Sequence, residues 1–548
     1  MLVVTTGFVT TIAGFRVSAR SPVPAALSAL AVVVAWLLLA RQPRVMRQDL
    51  RDLDAWVTSR ARAIVIVVGV LAAMTAIGFN SFSANGADAS GYLSHASMLW
   101  QGELASTEPL APIAKWTGGE ATLAPLGWRA VGNGRQVPTY AVGLPLLLAP
   151  FHAAGGALAA SLVVPLTFFI AIVVIATLAD RLAGATAAIV AAVWMATSPV
   201  ALVESMQIMS DVPVTAAWLS SWWLLFQGRS VGAGVLAAIA VLIRPNLAPV
   251  VIIPALFALV ASRRSALQFS IPVALACAVT AYLQWFWFGS PVRSGYGSAT
   301  EIYALANVVP NAVLYSRWLI ETHGPWLLTA PAALLLGTSR HVLAWLFAFA
   351  ATVVAAYLVY AQFEVWTYLR FMLPSLAILM IATAVLAARI HAAVPAAARF
   401  ILLAAMVVAL VVSNVAAARA HDVFRFAERS VRARTVGERL ATTLPVNAAI
   451  VSGEQSGAMR YYTGRSILRW DLMDDAAMRD ASEWLTRNGY QVWVVLDDWE
   501  EEPFRKRVPT LASQALDYEP AVESAAGVGI RTRAWRARRF IAKSSNNE

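Results

Sequence analysis

Residues 80–103, NSFSANGADASGYLSHASMLWQGE, follow directly on the apolar segment 64–79. This junction decides the fold, because an apolar segment of that length either crosses a membrane or is a buried core helix. The polar stretch has the pattern of an amphipathic helix, with the acid Asp88 near its start. An acid in that place is either the N-cap of the helix or a group with a chemical role. The environment of the junction separates the two interpretations.

The composition is that of a polytopic membrane protein. Of the 548 residues, 59% are hydrophobic and 13% are charged, which is far from the balance of a soluble domain. The 20 Trp and 13 Tyr are typical of helices with aromatic belts at two membrane interfaces. The net charge of +11 comes from bases spread along short loops, which indicates positive-inside topology rather than nucleic-acid binding. The single cysteine, Cys277, excludes an intrachain disulfide.

Apolar segments recur along most of the chain and predict about 11–13 transmembrane helices. The segments are 22–40, 64–79, 158–179, 184–200, 212–227, 231–243, 247–261, 267–288, 325–337, 341–360, 371–388 and 400–418. Residues 139–153 are also apolar, but the two glycines that follow them favour a half-embedded helix. Residues 1–15 are apolar and short, so a further span there stays open. They lack the basic region and cleavage site of a signal peptide.

The charges of the loops predict which side of the membrane each loop faces. If loop 41–63, with its six Arg, is cytoplasmic, alternation of the segments places most other loop arginines of the membrane part inside. The opposite face then receives nine acids. They are Asp88, Glu103, Glu108, Glu120, Glu204, Asp211, Glu301, Glu321 and Glu364. One face is therefore basic, and carboxylates collect on the external face.

The C-terminal part falls on the external side and reads as a water-soluble domain, with twenty bases and eighteen acids. AAIVSG and QVWVVLDDW predict strands, AAMRDASEWLTRNGY predicts a helix that ends at Gly489, and RTRAWRARR predicts an exposed edge strand. The chain thus divides into three parts. They are 1–63, with one or more extra N-terminal transmembrane segments and a basic cytoplasmic loop; 64–418, a transmembrane core with the long external loop 80–138; and 419–548, a small external α/β domain.

Several stretches, taken in order, resemble the GT-C superfamily of polytopic membrane glycosyltransferases, in the branch of the protein O-mannosyltransferases and the lipid A aminoarabinose transferases. They are ADASGYLSHASMLWQGE, VPTYAVGLPLLLAPF, SPVALVESMQIMSDVP, AIAVLIRPNLAPVVIIPAL and YLRFMLPSLAIL. Together they cover roughly residues 64–388, and their order and topology are more specific than any one of them. The chain departs from the family pattern in its extra N-terminal helix and in TYAVG, where a double Pro is usual.

The resemblance implies transfer of a sugar from a polyprenyl-phosphate carrier to a cell-envelope glycan, lipid or protein on the external face of the cytoplasmic membrane. Such a reaction needs a base for the acceptor. Asp88 matches the acid that the family places in the first external loop, and Asp211 in MSDVP is the second candidate. Both acids precede helices, so capping remains the alternative role for each.

The leaving lipid phosphate needs a cation, and Arg suits a bidentate contact. Arg244 in VLIRPN is the first candidate, because a basic residue at this place contacts the lipid phosphate in the family. Its alternative role is snorkelling to the headgroups. Arg370 in YLRFMLP and Arg135 in GNGRQVP are further candidates. We expect Tyr92, Tyr140 and Tyr368 to shape the sugar pocket, although interfacial Tyr is common in any membrane protein.

No cofactor is predicted, and no pair among the six His has metal-ligand spacing, so we expect no metal site. The alternative function is a transporter or flippase of a lipid-linked glycan. A transporter places ionisable residues near the bilayer midplane and often has internal repeats, whereas most charges here lie at helix ends on one face. A scaffold that has lost its base is a third class, but both candidate acids are present.

Overall fold

The computed structural model describes residues 8–12, 15–19, 43–335, 339–525 and 529–538. Strands β1 (Phe8–Ile12) and β2 (Phe15–Ala19) form an antiparallel hairpin. The predicted N-terminal span 22–40 lies outside the described residues.

The chain from residue 43 to residue 420 is mostly helical. Its α-helices are α1 (Pro43–Ser59), α2 (Ala61–Gly78), α3 (Gly86–Trp100), α4 (Gly143–Ala160), α5 (Val163–Ala183), α6 (Ala185–Thr197), α7 (Pro199–Ser205), α8 (Asp211–Phe226), α9 (Ser230–Ile243), α10 (Ile252–Ala261), α11 (Arg263–Phe288), α12 (Ala299–Ile302), α13 (Val308–His323), α14 (Arg340–Leu358), α15 (Leu373–Ala393) and α16 (Ala396–Ala420). The longer 3₁₀ segments are Pro245–Val251, Pro325–Leu334 and Trp366–Met372. These elements follow most of the apolar segments that the sequence predicts.

Seven helices within the described residues are long and apolar enough to cross a membrane, or eight if α6 and α7, bent by 59°, count as one broken span. Shorter apolar helices occupy Ser230–Ile243, Pro245–Ala261 and Pro325–Leu334. The chain is therefore a polytopic α-helical membrane protein, as its composition predicts. The number of crossings, about 11–13 from segment length, stays a prediction.

Two segments differ from their sequence-based description. The basic stretch 41–63 contains the amphipathic helix α1, in which Leu50 is buried and Asp54 contacts His391 of α15 at 3.0 Å. Most of the apolar stretch 139–153 lies in α4, which begins at Gly143, continues to Ala160 and is broken at Gly155 and Gly156. This helix is long enough to cross the membrane, and whether it is half-embedded stays a prediction.

The core of the bundle lies around α5 and α15. In the most apolar part of Trp366–Ala393, 83% of the residues are buried, and in that of Val163–Ala183, 61% are buried. The corresponding part of Arg263–Phe288 has only 17% of its residues buried. The outer helix α11 exposes Leu267 and Leu275, as expected where lipid covers a helix face. At Gly234 of α9, a Cβ atom would lie 2.3 Å from the Phe269 carbonyl oxygen. Glycine therefore lets α9 and α11 pack backbone to backbone.

Besides the β1–β2 hairpin, the described part of the chain has two sheets outside the helical bundle. The first belongs to loop 80–138 and has the order β3-β5-β4, with β3 (Ser106–Thr107), β4 (Trp128–Gly132) and β5 (Arg135–Pro138). The second has the order β7-β6-β8-β10-β9, with β6 (Ala448–Ser452), β7 (Ser466–Leu468), β8 (Gln491–Asp497), β9 (Val522–Ala525) and β10 (Arg531–Arg536). Its helices are α17 (Phe426–Thr443), α18 (Ser456–Thr463), α19 (Asp475–Arg487), α20 (Asp498–Arg507) and α21 (Pro509–Ala515). This second sheet, with its helices, is the predicted small α/β domain.

The C-terminal sheet has an apolar core on each face, because side chains alternate along a strand. Val451 and Val494 pack in one cluster, and Ile450 and Val495 pack in the other. The predicted helix that stops at Gly489 is confirmed as α19. The predicted edge position of RTRAWRARR is wrong, because β10 pairs with both β8 and β9. Its charges misled the prediction: within the sheet, Arg533 is paired with acids of neighbouring elements.

Candidate active site

A cavity of about 450 Å³ lies at the end of the helical bundle that carries the first loop. Seven of the eight side chains predicted for the site line it. They are Asp88, Tyr92, Tyr140, Asp211, Arg244, Tyr368 and Arg370. The eighth, Arg135, is exposed on β5 and is not among the lining residues. The cavity therefore brings together residues from α3, α8, the end of α9 and the 3₁₀ segment Trp366–Met372.

Asp88 lies in the first turn of α3, but it does not cap the helix. The helix begins at Gly86 with Asn85 as its N-cap residue, so the capping interpretation of Asp88 is wrong. Its carboxylate is 34% exposed and accepts a hydrogen bond from Arg370, with 3.2 Å between Oδ2 and Nη2. The Tyr140 hydroxyl lies near it in the lining of the cavity. Asp88 is the most accessible carboxylate at the site.

Asp211 is fully buried at the start of α8, and Ser210 is the N-cap residue of that helix. The Asp211 carboxylate is paired with Arg244, with 2.7 Å between Oδ1 and Nη2. Arg244 ends α9 and donates further hydrogen bonds to the Ser210 hydroxyl and, at 3.1 Å, to the Tyr357 hydroxyl. The role of Asp211 in this structure is thus to hold Arg244, rather than to cap α8.

Arg370 lies between three carboxylates. Beyond Asp88, its guanidinium is 3.8 Å from Glu204 Oε2 and 3.9 Å from Asp211 Oδ2. Its Cζ lies 4.8 Å from the centre of the Tyr368 ring, in cation–π geometry. The group as a whole carries three acids and two arginines, all but Asp88 strongly buried.

Sequence reasoning missed two residues of this network, Glu204 and Tyr357. Glu204 is fully buried in α7 and lies in the motif SPVALVESMQIMSDVP, seven positions before Asp211. Its place in that motif, together with the scarcity of acids in apolar segments, was the available signal. Tyr357, at the end of α14, also accepts a hydrogen bond from Asn246 at 3.0 Å. No local pattern marks it.

Aromatic rings form one wall of the cavity. Tyr92 and Tyr140 pack with ring centres 4.6 Å apart and ring planes tilted by 41°, and Tyr296 contacts Tyr140 edge-on. At Gly91 of α3, a Cβ atom would lie 2.2 Å from the Tyr140 ring, so glycine makes room for that ring. Burial raises the pKa of the Tyr140 hydroxyl well above its ordinary value, so Tyr140 stays neutral and can donate to Asp88.

Another wall of the cavity is largely apolar. It is formed by one face of α11 and the end of α9, and its members include Val241, Leu242, Cys277, Ala281 and Trp287. A pocket with one apolar wall, one aromatic wall and two buried cations suits a ligand that has a lipid part and an anionic head. Within the described ranges, no group of three or more His, Cys, Asp or Glu side chains is arranged to hold a metal ion.

Residues 144–287 match the model of the dolichyl-phosphate-mannose-protein mannosyltransferase family. That segment contains Glu204, Asp211 and Arg244 of the cavity. The match covers part of the chain, and the whole chain has the fold of a polytopic membrane protein of the GT-C type.

The solved structures that share this fold include ArnT from Cupriavidus metallidurans. Bound to undecaprenyl phosphate, ArnT is 12% identical with a TM-score of 0.53, over 86% of this chain and 97% of that chain. The apo state of ArnT is also 12% identical, with a TM-score of 0.51, over 86% of this chain and 97% of that chain. The Archaeoglobus fulgidus oligosaccharyltransferase tethered to an acceptor peptide gives 11% identity and a TM-score of 0.48, over 89% of this chain and 75% of that chain. No match is found among the curated proteins.

Proposed function

We propose that the protein transfers a sugar from a polyprenyl-phosphate donor to an acceptor of the cell envelope. One observation carries the proposal: an accessible carboxylate, Asp88, and two buried arginines, Arg244 and Arg370, line a single cavity that has an apolar wall. The combination provides a base, a cationic site for phosphate and a surface for an isoprenoid chain. ArnT of the same fold has been solved with undecaprenyl phosphate, which supports this class of donor.

In the proposed reaction, a hydroxyl or amine of the acceptor attacks the anomeric carbon of the sugar. The bond from that carbon to the phosphate oxygen breaks, and the polyprenyl phosphate leaves with the electron pair. Asp88 accepts the proton of the acceptor, and Tyr140, which lies near it, orients the Asp88 carboxylate. Tyr92 of the aromatic wall and Tyr368, which also lines the cavity, contact the sugar.

The two arginines stabilise the phosphate as its negative charge develops. Arg244 is held by Asp211, Ser210 and Tyr357, so its position is preorganised and needs little rearrangement during the reaction. Arg370 contacts its acids at longer distances, and it can turn from Asp88 toward the phosphate. That movement would free the Asp88 carboxylate for the acceptor.

The sidedness of the loop charges supports an external location, at the cytoplasmic membrane, for the proposed reaction. All three acids of the site belong to loops or helix ends that the loop charges predict to be external, and the basic loops are predicted to lie on the other face. A donor linked to a membrane lipid fits this location, because the lipid keeps the sugar at the membrane surface.

The test is direct transfer by purified full-length protein in nanodiscs, with a panel of polyprenyl-phosphate sugars and an envelope extract as the acceptor. We expect label to move from donor to acceptor in the wild type and not in Asp88→Asn. Mass spectrometry of envelope glycans from cells with and without the gene identifies the product. Movement of intact lipid-linked glycan across the bilayer, without cleavage of the sugar–phosphate bond, would instead establish a flippase.

A further inference from the structure

The C-terminal domain contacts the helix that carries Asp88. Helix α18 follows the buried strand β6 and packs against the N-terminal half of α3. The closest approach is at Gly457, where a Cβ atom would lie 2.3 Å from Ser90 Oγ and 2.8 Å from the Leu126 carbonyl oxygen. Both distances are shorter than any stable carbon–oxygen contact. A side chain at position 457 would therefore displace α3, the loop at Leu126, or both.

Two hydrogen bonds fix α18 on either side of this contact. The Leu126 amide donates to Ser456 Oγ at 2.9 Å, and the Ala84 amide donates to the Tyr462 hydroxyl at 2.9 Å. Ala84 lies just before α3. The segment that leads into α3 and the loop beside it are thus attached to the same short helix.

A buried ion pair connects the first loop with the same region. Arg460 of α18 contacts Glu108 at 3.2 Å, and their side chains are 13% and 1% exposed. Glu108 also accepts a hydrogen bond from the Ser466 hydroxyl. A pair of this kind costs desolvation and is disrupted when one partner is lost, so it favours one relative arrangement of the first loop and the C-terminal domain.

Helix α18 is itself firmly held. Ala458 and Met459 are fully buried in the core of the C-terminal domain. The Tyr462 ring packs on Gly437 of α17, where a Cβ atom would lie 2.6 Å from the ring. Strain introduced at position 457 would therefore act on α3 and the loop at Leu126 rather than be absorbed by movement of α18.

We propose that Gly457 is a positioning residue, through which the C-terminal domain sets the place of Asp88 in the cavity. Ser90 lies two residues after Asp88 on α3, and its hydroxyl donates to the Gly86 carbonyl in the first turn of that helix. A displacement at Ser90 thus moves the turn that carries Asp88. The proposal rests on the proposed function for the role of Asp88, whereas the contact between the domains stands without it.

The test is the full-length variant Gly457→Ala in nanodiscs, measured by sugar transfer and by hydrogen–deuterium exchange of residues 86–93. We expect kcat to fall about tenfold or more, because small misplacement of a reacting group is costly. The KM for the donor should stay within about threefold, since the contacts to the donor are unchanged. Exchange of the first turns of α3 should be about tenfold faster.

The double variant Gly457→Ala with Ser90→Ala removes the oxygen that the added methyl group would meet at 2.3 Å. Compared with Gly457→Ala, the double variant should recover part of the lost kcat, and its residues 86–93 should exchange more slowly. The single variant Ser90→Ala is the reference for both measurements. The control is Gly464→Asn, just past the end of α18, where a Cβ atom meets nothing within 4 Å and Asn tolerates the positive φ. It should match the wild type.

Unchanged kcat and exchange in Gly457→Ala would overturn the proposal. So would a rise in KM at constant kcat, or a double variant no better than Gly457→Ala in either measurement. A wild-type protein that transfers no sugar would count against the proposed function, and the exchange data would then decide the positioning role alone.

Discussion

Asp88 and Arg370 are joined across the cavity by a hydrogen bond of 3.2 Å, although 282 positions separate them in the chain. The same guanidinium stands 3.8 Å from Glu204 and 3.9 Å from Asp211. Arg244, by contrast, contacts Asp211 at 2.7 Å and has two hydroxyl partners. The two arginines at the site therefore differ in how firmly they are held, and this difference separates their expected roles.

Asp88→Asn should abolish turnover and leave the fold intact. An amide cannot act as a general base, so we expect a loss of about 10²-fold or more in kcat. Asp88 does not cap α3, and its ion pair is partly exposed, so the change in stability should stay below about 1 kcal/mol. Transfer assays and thermal unfolding of the same samples measure both effects. The matched control is Glu103→Gln, an exposed acid in the same loop. Normal turnover in Asp88→Asn would move the base to Asp211.

Arg370→Gln should weaken donor binding. The loss of a charge-assisted contact to phosphate is worth about 1.5–3 kcal/mol, or roughly 10- to 100-fold in affinity. Binding of an isoprenoid phosphate to purified protein measures this change. Arg317→Gln is the control, because Arg317 is 66% exposed and pairs only with its helix neighbour Glu321. Equal affinities of the two variants would remove Arg370 from the phosphate site.

Arg244→Ala should weaken donor binding more than Arg317→Ala and should also destabilise the protein. Removing Arg244 leaves the fully buried Asp211 carboxylate with only a distant contact to Arg370. The loss of one partner from a buried pair costs about 3–5 kcal/mol. Thermal unfolding without donor separates this cost from the effect on binding. A variant of wild-type stability and wild-type affinity would assign Arg244 neither role.

Asp211→Asn should destabilise the protein as Arg244→Ala does, because it leaves Arg244 without its charged partner. We expect about 3 kcal/mol, together with weaker donor binding as Arg244 loses its fixed orientation. If Asp211→Asn instead kept full stability and donor affinity but lost turnover, Asp211 would be the base.

His95 should make stability depend on pH. Burial against Trp287 lowers the pKa of the His95 imidazole to about 4, whereas an unfolded histidine titrates near about 6.5. The folded state thus favours neutral His95, and its contribution is complete above about pH 6.5 and is lost as the pH falls toward 4. Between pH 6.5 and 5 the wild type should lose about 1.6 kcal/mol more than His95→Asn. Parallel pH dependences in the two proteins would contradict this expectation.

The C-terminal domain should lie outside the cytoplasm. A reporter that is active only in the cytoplasm, fused after residue 430, should therefore be silent, because the loop charges place residues 419–548 opposite the basic face. A fusion after residue 263, in a loop predicted to be cytoplasmic, should be active. Activity of the first fusion would also move Asp88 to the cytoplasmic side, and the case for a lipid-linked donor on the external face would fail.

The sequence alone was sufficient for the membrane class, the position of most helices, the small α/β domain and the candidates for the site. Apolar length and loop charge are local properties, and a bilayer converts them directly into helices. The resemblance to the GT-C superfamily likewise depended on the order of short motifs along the chain. Seven of the eight candidates line one cavity, and their chemical roles stay predictions.

The tertiary structure decided which residues contact one another. Four relations depend on segments that are distant in the chain. Asp211 holds Arg244, Glu204 approaches Arg370, β10 is an interior strand and Gly457 contacts Ser90. A local pattern shows that an acid or a glycine is present, but it does not show which group lies opposite. Burial, ion pairing and close approach are relations between surfaces, and only packing of the helices and the two sheets brings those surfaces together.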